Sequence, residues 1–230
     1  MLDVTPIVFI VDGDTSVRQS IEVLLNGAGL RSAFFGSAHE FLEHQRTSAP
    51  CCLVLDVDLP DLDGLELQAR VAPERNEMPL VFVSNCRDIR KSVRAMKAGA
   101  LEFLTKPFDG AELLLAVHHA IERSRATLVV EAGMRELRER FSSLTPRERA
   151  VMALVASGRL NKQVGAELGI SEITVKAHRG NAMRKMRADS LAQLVDMARR
   201  LGVPIIQRAE TPRAKEYFTG GGVRRASVPL

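Results

Sequence analysis

Cysteine is scarce in these 230 residues: Cys51, Cys52 and Cys86 are odd in number and lack the spacing of a metal site or a disulfide framework. Neighbouring cysteines on a strand point to opposite faces, which argues against a redox pair, so buried, reduced thiols are expected. No apolar run approaches the roughly 18 residues of a membrane span. The first residues also lack a basic stretch followed by an apolar one, so an export signal is not expected. Together these absences point to a cytoplasmic protein with no membrane partner. No glycine-rich phosphate loop follows the first apolar run, which disfavours a flavin or nucleotide binder. Internal repeats are absent as well.

What is present divides into two unlike parts, as the length also suggests. Up to residue 140 there are 16 Lys and Arg against 21 Asp and Glu, a net charge of −5; beyond it the counts are 16 and 7, a net charge of +9. The basic part is where a polyanion would bind, although such a field is blind to base sequence.

Between Pro6 and Arg125, short wholly apolar runs (IVFIV, CCLVLDV, PLVFV) alternate with amphipathic segments (SVRQSIEVLL, GLELQARV, VRAMKAGA). Runs apolar at every position suit parallel strands covered on both faces, so the pattern predicts an open α/β sheet of five strands. They fall near Ile7–Val11, Arg31–Phe35, Cys52–Asp56, Leu80–Ser84 and Glu102–Leu104. In such sheets the loops after the strand ends converge on one edge. That edge would gather Asp12, Gly13 and Asp14, Asp56 and Asp58, Ser84 and Asn85, and Lys106-Pro107.

Residues 126–141 are charged and free of proline, which reads as a helical linker. Thr145, Pro146 and Glu148 then form a capping box, and Gly158 marks the end of the helix it starts. A second helix begins at Asn161 and stops at Gly169. After a tight turn, Ser171 caps a third that runs to about Arg187, giving helix-turn-helix geometry. On this third helix Ile173, Val175, Ala182, Met183 and Met186 are expected to face mostly inward. Thr174, Lys176, Ala177, His178, Arg179, Asn181, Arg184 and Lys185 remain as outward or flanking candidates. A fourth helix starts at Ser190, with Gln193 expected to complete another capping box. Beyond residue 202, prolines, a glycine triplet and Arg224-Arg225 suggest a disordered tail over 203–230.

The runs TPRERAV, NKQVGAELGIS and TVKAHRGNAMRKM resemble the LuxR-type helix-turn-helix of the NarL/FixJ response regulators. The resemblance implies a module over 142–202 that binds double-stranded DNA, with base reading at Lys176, Ala177 and Gly180 and phosphate contacts from Lys162, Arg179 and Lys185. A larger polar residue is common at the Gly180 position, so readout is expected to rest more on Lys176, Arg179 and Asn181, with Thr174 a further DNA-binding candidate.

IVDGDTSVRQS, LVLDVDLPDLDGLEL, VFVSN and AGALEFLTKPFD resemble a response-regulator receiver, here residues 1–125, with a flavodoxin-like sheet. The resemblance implies that Asp56 accepts a phosphoryl group from a sensor histidine kinase, with Mg²⁺, Lys106 and Ser84 around it and Phe103 as the switching ring. It implies a cis Lys106-Pro107 bond, and a dimer face carrying Val93 and Lys97. Activation would pair two receivers, or would uncover the third helix of the DNA-binding module. RNA polymerase is a further possible partner.

One departure bears on the chemistry. The family places two adjacent acids after the first strand, and here they read Asp12-Gly13, so the direct Mg²⁺ ligand is missing. Mg²⁺ relies on one or two carboxylates plus water, so Asp12 and Asp56, with help from Asp14 or Asp58, remain the candidate ligands. Asn85 is bulkier than the family's usual residue. Two forms of control follow: phosphorylation of Asp56, or an atypical receiver that acts without efficient phosphorylation. A phosphate-ester enzyme with Asp56 as nucleophile is a third reading, disfavoured because no insertion supplies a substrate cap.

Overall fold

The computed structural model describes residues 5–45, 47–72, 75–85 and 88–204. Cys86 and the part of the expected tail from residue 205 onward lie outside the described residues. The chain forms two compact units, divided between Glu136 and Leu137.

In the first unit five parallel strands are ordered β2-β1-β3-β4-β5: β1 (Ile7–Val11), β2 (Arg31–Phe35), β3 (Cys51–Asp56), β4 (Leu80–Ser84) and β5 (Glu102–Thr105). The third and fifth are each one residue longer than expected, at the start and the end respectively. Five helices follow the strands: α1 (Thr15–Gly27), α2 (Ala38–Glu43), α3 (Gly64–Val71), α4 (Ile89–Lys97) and α5 (Gly110–Ser142).

The pleat sorts successive strand residues into two cores. Phe9, Leu53, Leu55 and Phe82 join Phe41, Leu67, Val71 and Ala95 of α2, α3 and α4 on one face. Val8, Ile10, Cys52, Val54, Val81 and Val83 join Ile21 and Leu25 of α1 and Leu113, Val117 and Ile121 of α5 on the other. Because β1 and β3 are adjacent while their connections leave to opposite sides, a crevice opens beyond their carboxyl ends.

Cys51 and Cys52 are free and buried, and burial pushes the Cys51 thiol up to about 11, so both stay protonated, inert core residues. Gly64 starts α3 so close to β3 that any Cβ would strike the carbonyl oxygen of Asp56. Only glycine allows α3 to begin there. The helix α5 runs unbroken for 33 residues and contains all of 126–141.

The second unit holds α6 (Pro146–Ala156), α7 (Asn161–Leu168), α8 (Glu172–Met186) and α9 (Leu191–Arg200). The Thr145 hydroxyl accepts the Glu148 N–H at 3.2 Å, while the Glu148 carboxylate accepts the Thr145 N–H at 2.9 Å. Gly169 caps α7 in the left-handed conformation, φ 67°, and the turn to Ser171 brings the Ile170 carbonyl to within 2.7 Å of where a Cβ on Gly165 would sit. This crossing therefore also requires a glycine. Val151, Leu154, Val155, Val164 and Val175 form one core cluster, and Ala182, Met186, Leu194 and Ala198 are buried as well.

Two expectations change. The Ser190 hydroxyl caps α9 by accepting the Gln193 N–H, but the Gln193 side chain accepts from Asp189, one residue before the cap, so the box is displaced. Ile173 is not inward: it is 80% exposed. Val175, Ala182 and Met186 define the buried stripe, and at about 100° per residue Ile173 lies almost opposite it.

Among the described residues no helix is long and apolar enough to cross a membrane.

Candidate functional site

Register places the loop residues together. Val11 pairs with Leu55 across β1 and β3, so Asp12 just beyond β1 lies beside Asp56 at the end of β3. Ser84 ends β4 opposite Thr105, and Lys106 follows β5, its N–H bonding back to the Ser84 carbonyl at 2.8 Å. The Lys106-Pro107 bond is cis.

At this edge the Lys106 ammonium donates to Asp12 Oδ2 at 2.7 Å and to Asp56 Oδ2 at 2.9 Å. Asp12 is fully buried, Asp56 is 4% exposed and Ser84 is fully buried. Burial pushes the Asp56 carboxyl above the ordinary carboxylate value, against the opposing pull of Lys106 and of the Asp58 N–H. Burial also works against the Lys106 ammonium, but its hydrogen bonds to Asp12 and Asp56 prevail and raise its pKa. Two carboxylates thus share one lysine, and the pocket is left with an excess of negative charge. An all-oxygen donor set with that excess suits a small hard cation such as Mg²⁺, which keeps several waters as ligands.

The auxiliary acids are otherwise committed. The Asp14 carboxylate accepts the Ser16 N–H at 2.8 Å and its hydroxyl at 2.6 Å, capping α1; these bonds lower its pKa. Asp58 pairs with Lys91 of α4 at 3.0 Å. Each of the two acids that the sequence offered as spare metal ligands thus already has a partner of its own. Among the described residues no group of three or more metal-ligating side chains occurs. A Cβ on Gly13 would come 3.2 Å from the Pro60 ring, a tight but yielding contact.

Asn85 is exposed and borders, with Ser16, Val17, Ser20, Lys106, Pro107 and Phe108, an open cleft of about 410 Å³ beside the lysine. Phe103 is half-buried, its ring centroid 5.9 Å from that of Phe82. Val93 and Lys97 are exposed on α4, and Ile89 and Met96 continue the apolar stripe of Val93 at helical spacing.

Sequence reasoning missed two cations here. Arg18, on the first turn of α1, donates to the Asp12 carbonyl and the Thr15 hydroxyl. Its spacing from Asp12, which puts it above the strand end, was a usable signal. Lys91 comes from another helix, and nothing local announces its pairing with Asp58.

In the helical unit, Lys162, Lys176, Ala177 and Gly180 are exposed, while Thr174, His178, Arg179, Asn181 and Lys185 are half-buried. Lys176 lies 3.4 Å from Glu172. The Thr174 hydroxyl shares the cap with Ser171 at 2.8 Å. Arg179 donates to Asn161 at 3.3 Å, and Asn181 accepts from Arg184 at 3.1 Å. Lys185 is a staple, bonding Glu148 at 2.7 Å and the Ser143 carbonyl at 3.2 Å. Its hydrogen bond holds the Glu148 carboxyl below the usual carboxylate range.

The comparisons with known proteins agree with both geometries. Residues 8–118 match the response regulator receiver domain, and residues 142–198 match the bacterial regulatory proteins of the luxR family. The chain belongs to the NarL/FixJ-type response regulators. It is 48% identical over 197 residues to nodulation protein W of Bradyrhizobium diazoefficiens, covering 86% of this chain and 87% of that one. To the response regulator protein TodT of Pseudomonas putida it is 40% identical over 201 residues, covering 87% and 88%. The solved structure of the response regulator StyR matches with a TM-score of 0.75 at 43% identity, covering 85% of this chain and 98% of that one. This is a family of DNA-binding transcriptional regulators and not of enzymes, which removes the phosphate-ester reading of Asp56.

Proposed function

We propose that Asp56 is the phosphoacceptor through which a sensor histidine kinase controls dimerisation and promoter binding by the helical unit. The observation that carries this reading is the Lys106 ammonium shared between the buried Asp12 and Asp56 carboxylates, next to Ser84. A carboxylate oxygen of Asp56 attacks phosphorus, the phosphorus–nitrogen bond of the kinase's phosphohistidine breaks, and the imidazole leaves with a proton. Lys106 offsets the charge that gathers, and the Ser84 hydroxyl supplies a hydrogen bond to the phosphoryl oxygen. Asp12 and Asp56 would hold Mg²⁺. When bound, the ion supplies further neutralisation of the phosphoryl oxygens.

Movement of the Ser84 side would let Phe103 settle inward and alter α4, whose Val93 and Lys97 would face a second copy. Pairing places two readers on one duplex, with Lys162, Thr174, Lys176, Ala177, Arg179, Gly180, Asn181 and Lys185 at the DNA. Lys185 serves this surface by holding α8 to Glu148. The working division is a receiver over 1–125, a helical linker over 126–141, the DNA-binding module over 142–202 and a tail over 203–230. Contact with RNA polymerase and a cytoplasmic location complete the proposal.

A second reading, control without efficient phosphorylation, is favoured by one observation. Gly13 removes an acid while Asp14 and Asp58 are held by Ser16 and Lys91. Incubation with a small phosphodonor and graded Mg²⁺ separates the two, with phosphoprotein read by mass. The wild type should label only at millimolar Mg²⁺, Asp56→Asn should not label, and Gly13→Asp should shift half-labelling to roughly tenfold less Mg²⁺. Absence of Asp56-dependent labelling at millimolar Mg²⁺ would establish the second reading.

A further inference from the structure

Ile173 is the most exposed large apolar side chain among the described residues, at 80%. It is the second residue of α8, the helix that follows the turn of the helix-turn-helix. Four and seven residues on, Ala177 and Gly180 are exposed too, so the three form one stripe opposite the buried Val175, Ala182 and Met186. No side chain on this stripe can hydrogen-bond until Arg184, one turn further. Lys176 flanks it on one side and Asn181 on the other.

The stripe has no internal purpose. A Cβ on Gly180 would meet nothing within 4 Å, so the fold does not require glycine there, although glycine within a helix is less stable than alanine. Without a side chain there, the helix backbone is left open to whatever surface meets it from outside. In this family that surface is double-stranded DNA, and the first residues of a recognition helix are those that meet base edges. The one apolar feature of a base edge in the major groove is the C5-methyl group of thymine.

We propose that Ile173 is a base-reading residue that, with Ala177, contacts thymine methyl groups in the major groove, while Gly180 lets the α8 backbone approach closely. The preferred half-site then contains thymine opposite the start of α8, recognised by shape and apolar contact. This reading rests on membership of the DNA-binding family and is independent of phosphorylation at Asp56.

The test selects duplexes from a random pool with the full-length protein, with and without phosphodonor, and then replaces each selected thymine by deoxyuridine, which deletes only the methyl group. At one or two positions per half-site the wild type should lose about fourfold in affinity, the value of one buried methyl. Ile173→Ser should bind the thymine duplex about as weakly as the wild type binds the deoxyuridine one, and should no longer distinguish the two. Its circular dichroism should match the wild type, since the side chain is exposed. Gly180→Leu should lower affinity for every sequence by about tenfold or more while raising thermal stability, because only the approach is blocked. Selected sites lacking a fixed thymine, or a deoxyuridine penalty that persists unchanged in Ile173→Ser, would overturn the proposal. Binding that does not respond to phosphodonor would count against control through Asp56 and leave the methyl readout standing.

Discussion

Each unit of this protein buries a carboxylate against a lysine, and the two pairings differ in stoichiometry. In the helical unit Lys185 meets Glu148 one to one, and Glu148 also accepts the Thr145 N–H, so the charge is fully satisfied. In the receiver Lys106 must serve both Asp12 and Asp56, and the local charge does not balance. A balanced pair closes a structure. An unbalanced one, buried at the edge of a sheet, keeps a demand for a further cation and raises the sensitivity of its surroundings to any charge added there.

The sharpest way to break this comparison is to remove the two lysines in turn. Lys106→Met leaves two buried carboxylates with no cation and should cost about 3–5 kcal/mol in the unfolding of the receiver, read by denaturant titration. Lys185→Met leaves only one, still held by a backbone N–H, and should cost about 1–3 kcal/mol in the helical unit. A smaller loss for Lys106→Met than for Lys185→Met would show that the unbalanced site is not strained.

The pH dependence sharpens the same point. The Glu148 carboxyl is depressed below its ordinary 4.5 in the folded state. Its contribution is therefore complete above 4.5 and is lost as pH falls through the lower folded value. Thermal melts of the wild type should show the helical transition weakening in that acid range, and Lys185→Met should flatten the dependence. The smallest effect belongs to the other half of the cap. Thr145→Ala should cost about 1 kcal/mol, a fall in melting temperature of roughly 4–8 °C for a unit of this size, and should weaken the acid sensitivity far less than Lys185→Met does.

Local signals were legible wherever one residue type has one physical use. The capping box at Thr145 and Glu148, the left-handed stop at Gly169 and the Ser171 cap all stand where short-range pattern put them. The wholly apolar runs marked strands to within one residue, because strands covered on both faces have no polar side to blur their ends. Ile173 was misplaced because an isolated apolar residue near a helix start gives no phase by itself. The period carried by Val175, Ala182 and Met186 decides it. The Gln193 side chain reached one residue further than expected, since a flexible amide takes whichever N–H the turn presents.

The sequence by itself determined that this chain has an acidic α/β module and a basic helical one, and it named Asp12, Asp56, Ser84 and Lys106 as residues of one sheet edge. Period and caps are properties of neighbouring residues, so they survive being read one after another. Only the tertiary structure decided that Lys106 divides itself between two carboxylates and that Lys91 of α4 reaches Asp58. It also paired Lys185, a candidate DNA contact, with Glu148. Such pairings join residues tens of positions apart, and their geometry is set by how helices pack on a sheet or on one another, which no local pattern records.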